Sequence, residues 1–220
     1  MLKHIFADLD GTITESRQVI SFAMKRKLSS LKIPIIVISG AEVKRIEQQL
    51  DGFLCIKMGQ NGNDCPYWYN KLTKREVKII LNHINKISQY TGVPINEETL
   101  HNRGCQISFS LIGHTAPIEV KKDYDPTKEI RNFILKKTPL KSHNLEVRVA
   151  GTTCLDYNRK GNLKGDNIKR YMKLHNLNKK DCIYYGDNFE KGGNDESVLG
   201  VMKCVKVKSP KDLLAKLTKI

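Results

Sequence analysis

The chain has 220 residues, 40% of them hydrophobic and 28% charged, with a formal net charge of +15. It is long enough to bury a sizeable core, and no apolar run approaches the roughly 20 residues that cross a bilayer. Lys3, His4 and Asp8 leave no room for a signal-peptide apolar region, and the six scattered cysteines include no Cys-x-x-Cys, so reduced thiols in a cytoplasmic protein are expected rather than a zinc site or a disulfide framework.

"KHIFADLDG" reads as a buried strand running into a turn. Helical spacing follows over 15–31, a second β-branched strand over 33–40 ("IPIIVISG"), a helix over 41–50, and a third strand and turn over 53–62. Strand and helix in alternation predict a parallel α/β sheet. The middle of the chain has a different texture. A helix is predicted over 74–91, a half-exposed alternating strand over 105–112, a helix over 126–138, and strands over 145–151 and 153–158. This pattern suits an antiparallel α+β module. The first rhythm then returns, with a helix over 165–177, a buried strand and turn over 181–188, a short helix over 195–202 and a strand over 204–208. A last helix is capped by Ser209 with Pro210 at its first position. The expected architecture is therefore a discontinuous parallel core, 1–70 plus 158–220, with a second domain inserted at 71–157.

In an open parallel sheet, ligands bind at the carboxyl ends of the strands. Asp8 and Asp10 fall at one such end, Ser39 at another and Asp187 at a third, with Lys164 at the start of the helix after the insertion. Phosphoryl transfer needs these residue types. A carboxylate nucleophile must meet a negatively charged phosphoryl group, so a hard divalent cation such as Mg²⁺ and a lysine are needed to hold the charge. Asp8 suits the nucleophile and Asp10 the acid and base. Ser39 suits a phosphoryl contact, or else only caps the following helix. Lys160 and Lys169 compete with Lys164.

These residues carry a resemblance. "DLDGTIT", "IIVISG", Lys164 and "YYGDN" with a later "GGND" resemble, in order, the four motifs of the haloacid dehalogenase-like phosphotransferase superfamily. The resemblance implies a Rossmann-like α/β core with an inserted α+β cap of the larger type, Mg²⁺ as cofactor, and Asp8, Asp10, Asp187 and Asp195 around the metal. Within that superfamily the chain resembles the eukaryotic-type phosphomannomutases. The eight-residue step from Asp187 to Asp195 in "GDNFEKGGND" is the most discriminating feature. "DGTITESRQ" and "SGAEVKRIEQQL" resemble two more of their segments. By the same resemblance Arg17, Arg103 in "RGCQISFSLIGH" and Asp156 in "GTTCLDY" contact substrate.

Where that family has further cap arginines, this chain has His114 and Lys121. Cys154 replaces a serine and Ser39 a glycine. Arginine binds phosphate bidentately, whereas lysine is a point charge and histidine is mostly neutral at pH 7. Two readings therefore stay open: a mutase interconverting mannose 6-phosphate and mannose 1-phosphate, and a sugar-phosphate phosphatase. A homodimer through the cap is implied by the resemblance. The lysines are spread in short pairs without a nucleic-acid motif, so a non-catalytic RNA-binding protein ranks below both.

Overall fold

The computed structural model describes residues 2–218. In chain order the elements are β1 (His4–Ala7), α1 (Phe22–Ser30), β2 (Ile35–Ile38), α2 (Val43–Leu50), β3 (Ile56–Met58), β4 (Asp64–Cys65), β5 (Trp68–Tyr69), α3 (Lys74–Thr91), β6 (Leu100–Asn102) and β7 (Ile107–Ser110). They continue as α4 (Ile118–Tyr124), α5 (Glu129–Lys137), β8 (Leu145–Ala150), β9 (Cys154–Arg159), α6 (Lys164–Leu174), β10 (Cys182–Gly186), β11 (Lys203–Lys206) and α7 (Pro210–Leu217). Two compact units part between Tyr69 and Asn70 and again between Gly161 and Asn162.

The first unit is built on a five-stranded sheet of order β11-β10-β1-β2-β3, parallel throughout. Its central strands are apolar on both faces because helices cover both. Ile5, Ala7, Ile35, Val37, Ile183 and Tyr185 face one core with Met24, Leu28, Ile46, Leu50 and Leu213 from α1, α2 and α7. Phe6, Ile36, Ile38 and Tyr184 face the other with Ile168, Tyr171 and Met172 from α6. The chain runs from β1 to β2 on one side and later returns to β10 on the other. β1 therefore lies where the strand order reverses, the switch point at which such sheets bind ligands.

The second unit is a four-stranded antiparallel sheet, β6-β7-β9-β8. Alternation gives it an apolar face of Ile107, Phe109, Leu155 and Tyr157, packed on Ile80, Ile84 and Ile87 of α3 and Ile134 of α5. His83 of α3 hydrogen-bonds the Tyr157 hydroxyl at 2.8 Å and the Thr138 carbonyl at 2.6 Å, so the end of α5 lies against α3. The opposite face carries a paired polar row, His101, Ser108, Asp156 and Arg148.

Several predicted boundaries shift for local reasons. The helix expected from 15 starts at Phe22, because Arg17 is left-handed (φ 63°) and the Ser21 hydroxyl caps Met24 N at 3.2 Å. The helix expected over 126–138 narrows to α5, since Lys128 is also left-handed. The helix expected over 195–202 is only a 3₁₀ turn, Glu196–Val198, broken by Gly200 at φ +80°. β6, α4 and the β4–β5 hairpin are too short to have shown a period.

A buried ion pair ties the start of α3 to β9. Arg159 donates to both Glu76 oxygens at 2.6 Å, and Thr73 adds its backbone N–H and hydroxyl. The Glu76 side chain is 8% exposed and that of Arg159 26%. These bonds, Arg159 first, pull the Glu76 carboxyl down to about 2. A carboxyl depressed on folding stabilises fully above its unfolded pKa, near 4.5, and that stability is lost as pH falls toward 2. The contribution is about 2–3 kcal/mol. An acid titration followed by circular dichroism should show Glu76→Gln less stable at pH 6 and flatter between pH 5 and 2. Parallel acid limbs would mean the pair adds nothing.

Candidate active site

Two of the three acids at the switch point sit where a strand ends. Asp8 follows β1, and its N–H is held by the Tyr185 carbonyl of β10 at 2.9 Å. Asp187 follows β10, and Asp195 returns eight residues later with its N–H on the Asn188 carbonyl at 3.1 Å. Lys164 opens α6, and its ammonium bridges Asp8 Oδ1 at 2.5 Å and Asp195 Oδ1 at 2.8 Å. Asp8, Lys164 and Asp195 are 2%, 1% and 0% exposed.

Charges buried this deeply must compensate one another. One ammonium faces three carboxylates, because Asp187 offers an oxygen within 4.8 Å of oxygens of Asp8 and Asp195. The two partners hold Lys164 charged, raising its pKa against the burial that would lower it. Burial, with repulsion from Asp195 and Asp187, raises the Asp8 carboxyl above its ordinary value against the pull of Lys164. The Asp187 carboxyl is also raised, by burial first and then by Asp195. An all-oxygen cluster with surplus negative charge fits a hard cation such as Mg²⁺.

Three residues that sequence reasoning passed over help to shape this cluster. The Tyr184 hydroxyl donates to Asp195 Oδ1 at 2.6 Å. Its position on the inward face of a buried strand, two residues before the glycine, was the available signal. Gly11 has φ +80°, and a Cβ there would lie 2.6 Å from Asp187 Oδ2. Gly165 N–H donates to the Ser197 hydroxyl at 3.1 Å, and a Cβ there would lie 1.8 Å from the Ser197 carbonyl oxygen. Gly165→Ala must therefore push α6 away from the turn after Asp195, separating Lys164 from its partner. We expect a destabilisation of about 2–3 kcal/mol in denaturant melts, with at least about tenfold lower turnover. Unchanged melts would mean the backbone yields there without loss.

Asp10, expected around the metal, is not one of the three carboxylates gathered here, although its charge reaches Asp187. Asp10 Oδ1 accepts the Arg17 N–H at 2.7 Å and Gln49 Nε2 at 3.0 Å, and Gln49 also donates to the Thr14 hydroxyl. The carboxylate is thus oriented from α2, another contact the sequence did not signal. Ser39 is buried at the end of β2, and its hydroxyl accepts the Ala41 N–H at 3.1 Å, bracing the turn into α2.

The second unit gathers its own expected residues. Asp156 accepts Gln106 Nε2 and the Ser108 hydroxyl, both at 2.6 Å. Burial raises its pKa, and Arg103 is the counter-charge that opposes this most. His114 stacks on His101 with ring centroids 3.7 Å apart and planes at 12°. Burial first, then the positive fields of His101, Arg103 and Lys121, lowers His114 to about 4. It is neutral at pH 7. The Lys121 ammonium is buried and donates to the His114 carbonyl at 2.6 Å. His101, Gln106 and Ser108 were not singled out from sequence; the period-two alternation that puts them on one face was the signal.

No protein-family profile matches the chain. Curated relatives are phosphomannomutase 1 and phosphomannomutase 2 of Dictyostelium discoideum, 26% and 25% identical, over 93% and 94% of this chain and 91% and 92% of theirs. Among solved structures, an IMP-bound IMP-nucleotidase of Plasmodium falciparum superposes with a TM-score of 0.69 over 99% of this chain and 67% of that one, at 17% identity. A haloacid dehalogenase-like hydrolase from B. subtilis has a TM-score of 0.69 over 100% of both chains, at 12% identity. Among the described residues, no helix is long and apolar enough to cross a membrane.

Proposed function

We propose that this chain, an enzyme of the haloacid dehalogenase-like superfamily, transfers the phosphoryl group of a hexose phosphate through Asp8 in the manner of a phosphomannomutase. The buried Lys164 bridge between Asp8 and Asp195, with Asp187 beside it at the strand ends, is the observation that carries this reading. The order of the four motifs and the phosphomannomutase relatives support it.

In the proposed reaction a carboxylate oxygen of Asp8 attacks phosphorus. The bond to the sugar oxygen breaks, and that oxygen keeps the electron pair and takes a proton from Asp10. Lys164 keeps its positive charge beside Asp8 and offsets the charge of the phosphoaspartate. Asp10 then removes a proton from the accepting hydroxyl, which attacks the phosphoaspartate and restores Asp8. Asp8, Asp187 and Asp195 would hold Mg²⁺, which supplies positive charge to the phosphoryl oxygens when bound. Ser39 and Arg17 are proposed phosphate contacts. Arg103, His114, Lys121 and Asp156 are proposed to recognise the sugar phosphate, with the second unit acting as the specificity cap.

A phosphatase is the second reading, and one feature favours it. His114 is neutral at pH 7 and the Lys121 ammonium is engaged by a carbonyl. A clamp weakened in this way releases a bisphosphate intermediate more readily and leaves water as acceptor.

The test is incubation with Mg²⁺ and mannose 1-phosphate, with and without a hexose 1,6-bisphosphate, following mannose 6-phosphate and free phosphate. Mannose 6-phosphate stimulated by the bisphosphate means a mutase. Free phosphate without isomerised sugar means a phosphatase. Neither product, with an inert wider panel of phosphate esters, refutes the proposal. A homodimer through the second unit is part of the same reading, supported by exposed Ile118, Val120, Ile130 and Phe133, and light scattering checks it.

A further inference from the structure

The outer face of α3 breaks the local rules for a stable helix. Thr73 and Glu76 form a capping box, yet the first two helical positions are Lys74 and Arg75. Cations there oppose the helix dipole, which favours acids at that end. Lys74 and Lys78 are also one turn apart, as are Arg75 and Lys78, and like charges at those spacings repel. Going outward along the helix, the exposed residues are Lys74, Arg75, Lys78, Asn82, Asn85, Lys86, Gln89 and Tyr90. The helix's one acid, Glu76, is buried and turned to Arg159. Among the described residues no carboxylate pairs with Lys74, Arg75, Lys78 or Lys86. The His83–Thr138 bond brings the end of α5 alongside, with exposed Lys136 and Lys137.

A local conflict without a compensating contact in the fold points to a partner outside it. We propose that the outer face of α3, extended by the end of α5, binds the phosphate backbone of a single-stranded nucleic acid. Lys74 and Lys86 are twelve residues apart, about 18 Å along the helix at 1.5 Å per residue. That length spans several backbone phosphates. The interleaved amides of Asn82, Asn85 and Gln89 donate and accept hydrogen bonds to phosphate, sugar or base edges. A membrane-lying helix would instead need several apolar side chains among the cations to insert, whereas among the exposed residues of α3 only Tyr90, at its last turn, is not polar or charged. This surface is independent of the phosphoryl-transfer reading, since none of its residues belongs to that site.

The experiment is fluorescence anisotropy of the full chain with a labelled 20-nucleotide oligouridylate from 50 to 300 mM salt. Four backbone contacts predict log K falling with log salt at a slope near −3. The triple variant K74E/K78E/K86E should bind at least about tenfold more weakly and with a shallower slope, while Mg²⁺-dependent turnover is unchanged. The glutamate at position 74 suits the helix dipole and all three changes are at exposed positions, so the variant is expected to fold. The control K173E/K179E/K180E changes net charge equally at exposed positions of the first unit. Absence of binding, an equal loss in the control, or binding to phosphatidylserine vesicles but not to RNA would each overturn the proposal.

Discussion

Asp8→Asn is expected to abolish phosphoryl transfer, by about 10⁴-fold or more in kcat, while the protein still folds. An amide cannot form the acyl phosphate, so no other group at the strand ends substitutes for it. Asp195 is saturated by Lys164, Tyr184 and the Asn188 N–H, and Asp10 is turned to Arg17 and Gln49. The fold should tolerate the change because Asn Oδ1 can still accept from Lys164 while Asp195 keeps the ammonium paired. The thermal midpoint should therefore stay within a few degrees of wild type. Steady-state turnover of mannose 1-phosphate and a thermal melt on the same preparation check both halves. Turnover near wild type in a folded variant would exclude the aspartyl route.

Lys164→Met is expected to have the largest effect on folding. It leaves Asp8 and Asp195 facing each other with 2% and 0% exposure and no cation between them. Removing one partner of a buried ion network costs about 3–5 kcal/mol, because the remaining charge is neither solvated nor paired. Activity should be lost as well. The double variant Lys164→Met with Asp195→Asn separates the causes. The amide can still accept from Tyr184, and one stranded charge is gone, so we expect at least about half the lost stability to return without activity. Denaturant melts of the two single variants and the double complete the cycle. Additive losses would mean that Lys164 stabilises through its aliphatic stem rather than by charge.

Much of the first unit could be read directly from the chain. "HIFA" and "IIVI" are apolar on both faces, which only a strand buried between two helical layers requires. Asp8 and Ser39, which follow those strands, are placed by the same runs. The antiparallel sheet of the second unit was legible from the alternation in "CQISFSLI". Shorter features were not. α4 and β6 span seven and three residues, too few for their periods to repeat often enough to stand out. The turn after Asp195 resembles a helix in composition, and its conformation is set by the contacts of Asp195 and by Gly200.

The linear order of residues determined the fold class, the four strand-end groups and the polar face of the second sheet, since each depends on local periodicity and on where an apolar run stops. Only the tertiary structure decided how charge is shared. Lys164 is 156 residues from Asp8 and 31 from Asp195, and no local pattern says that one ammonium serves both. Nor does any spacing say that Gln49 of α2 holds the Asp10 carboxylate, or that His101 lies flat on His114. The physical reason is common to all three. Side-chain hydrogen bonds and buried charge depend on which distant elements meet, and that is fixed by packing rather than by neighbours along the chain.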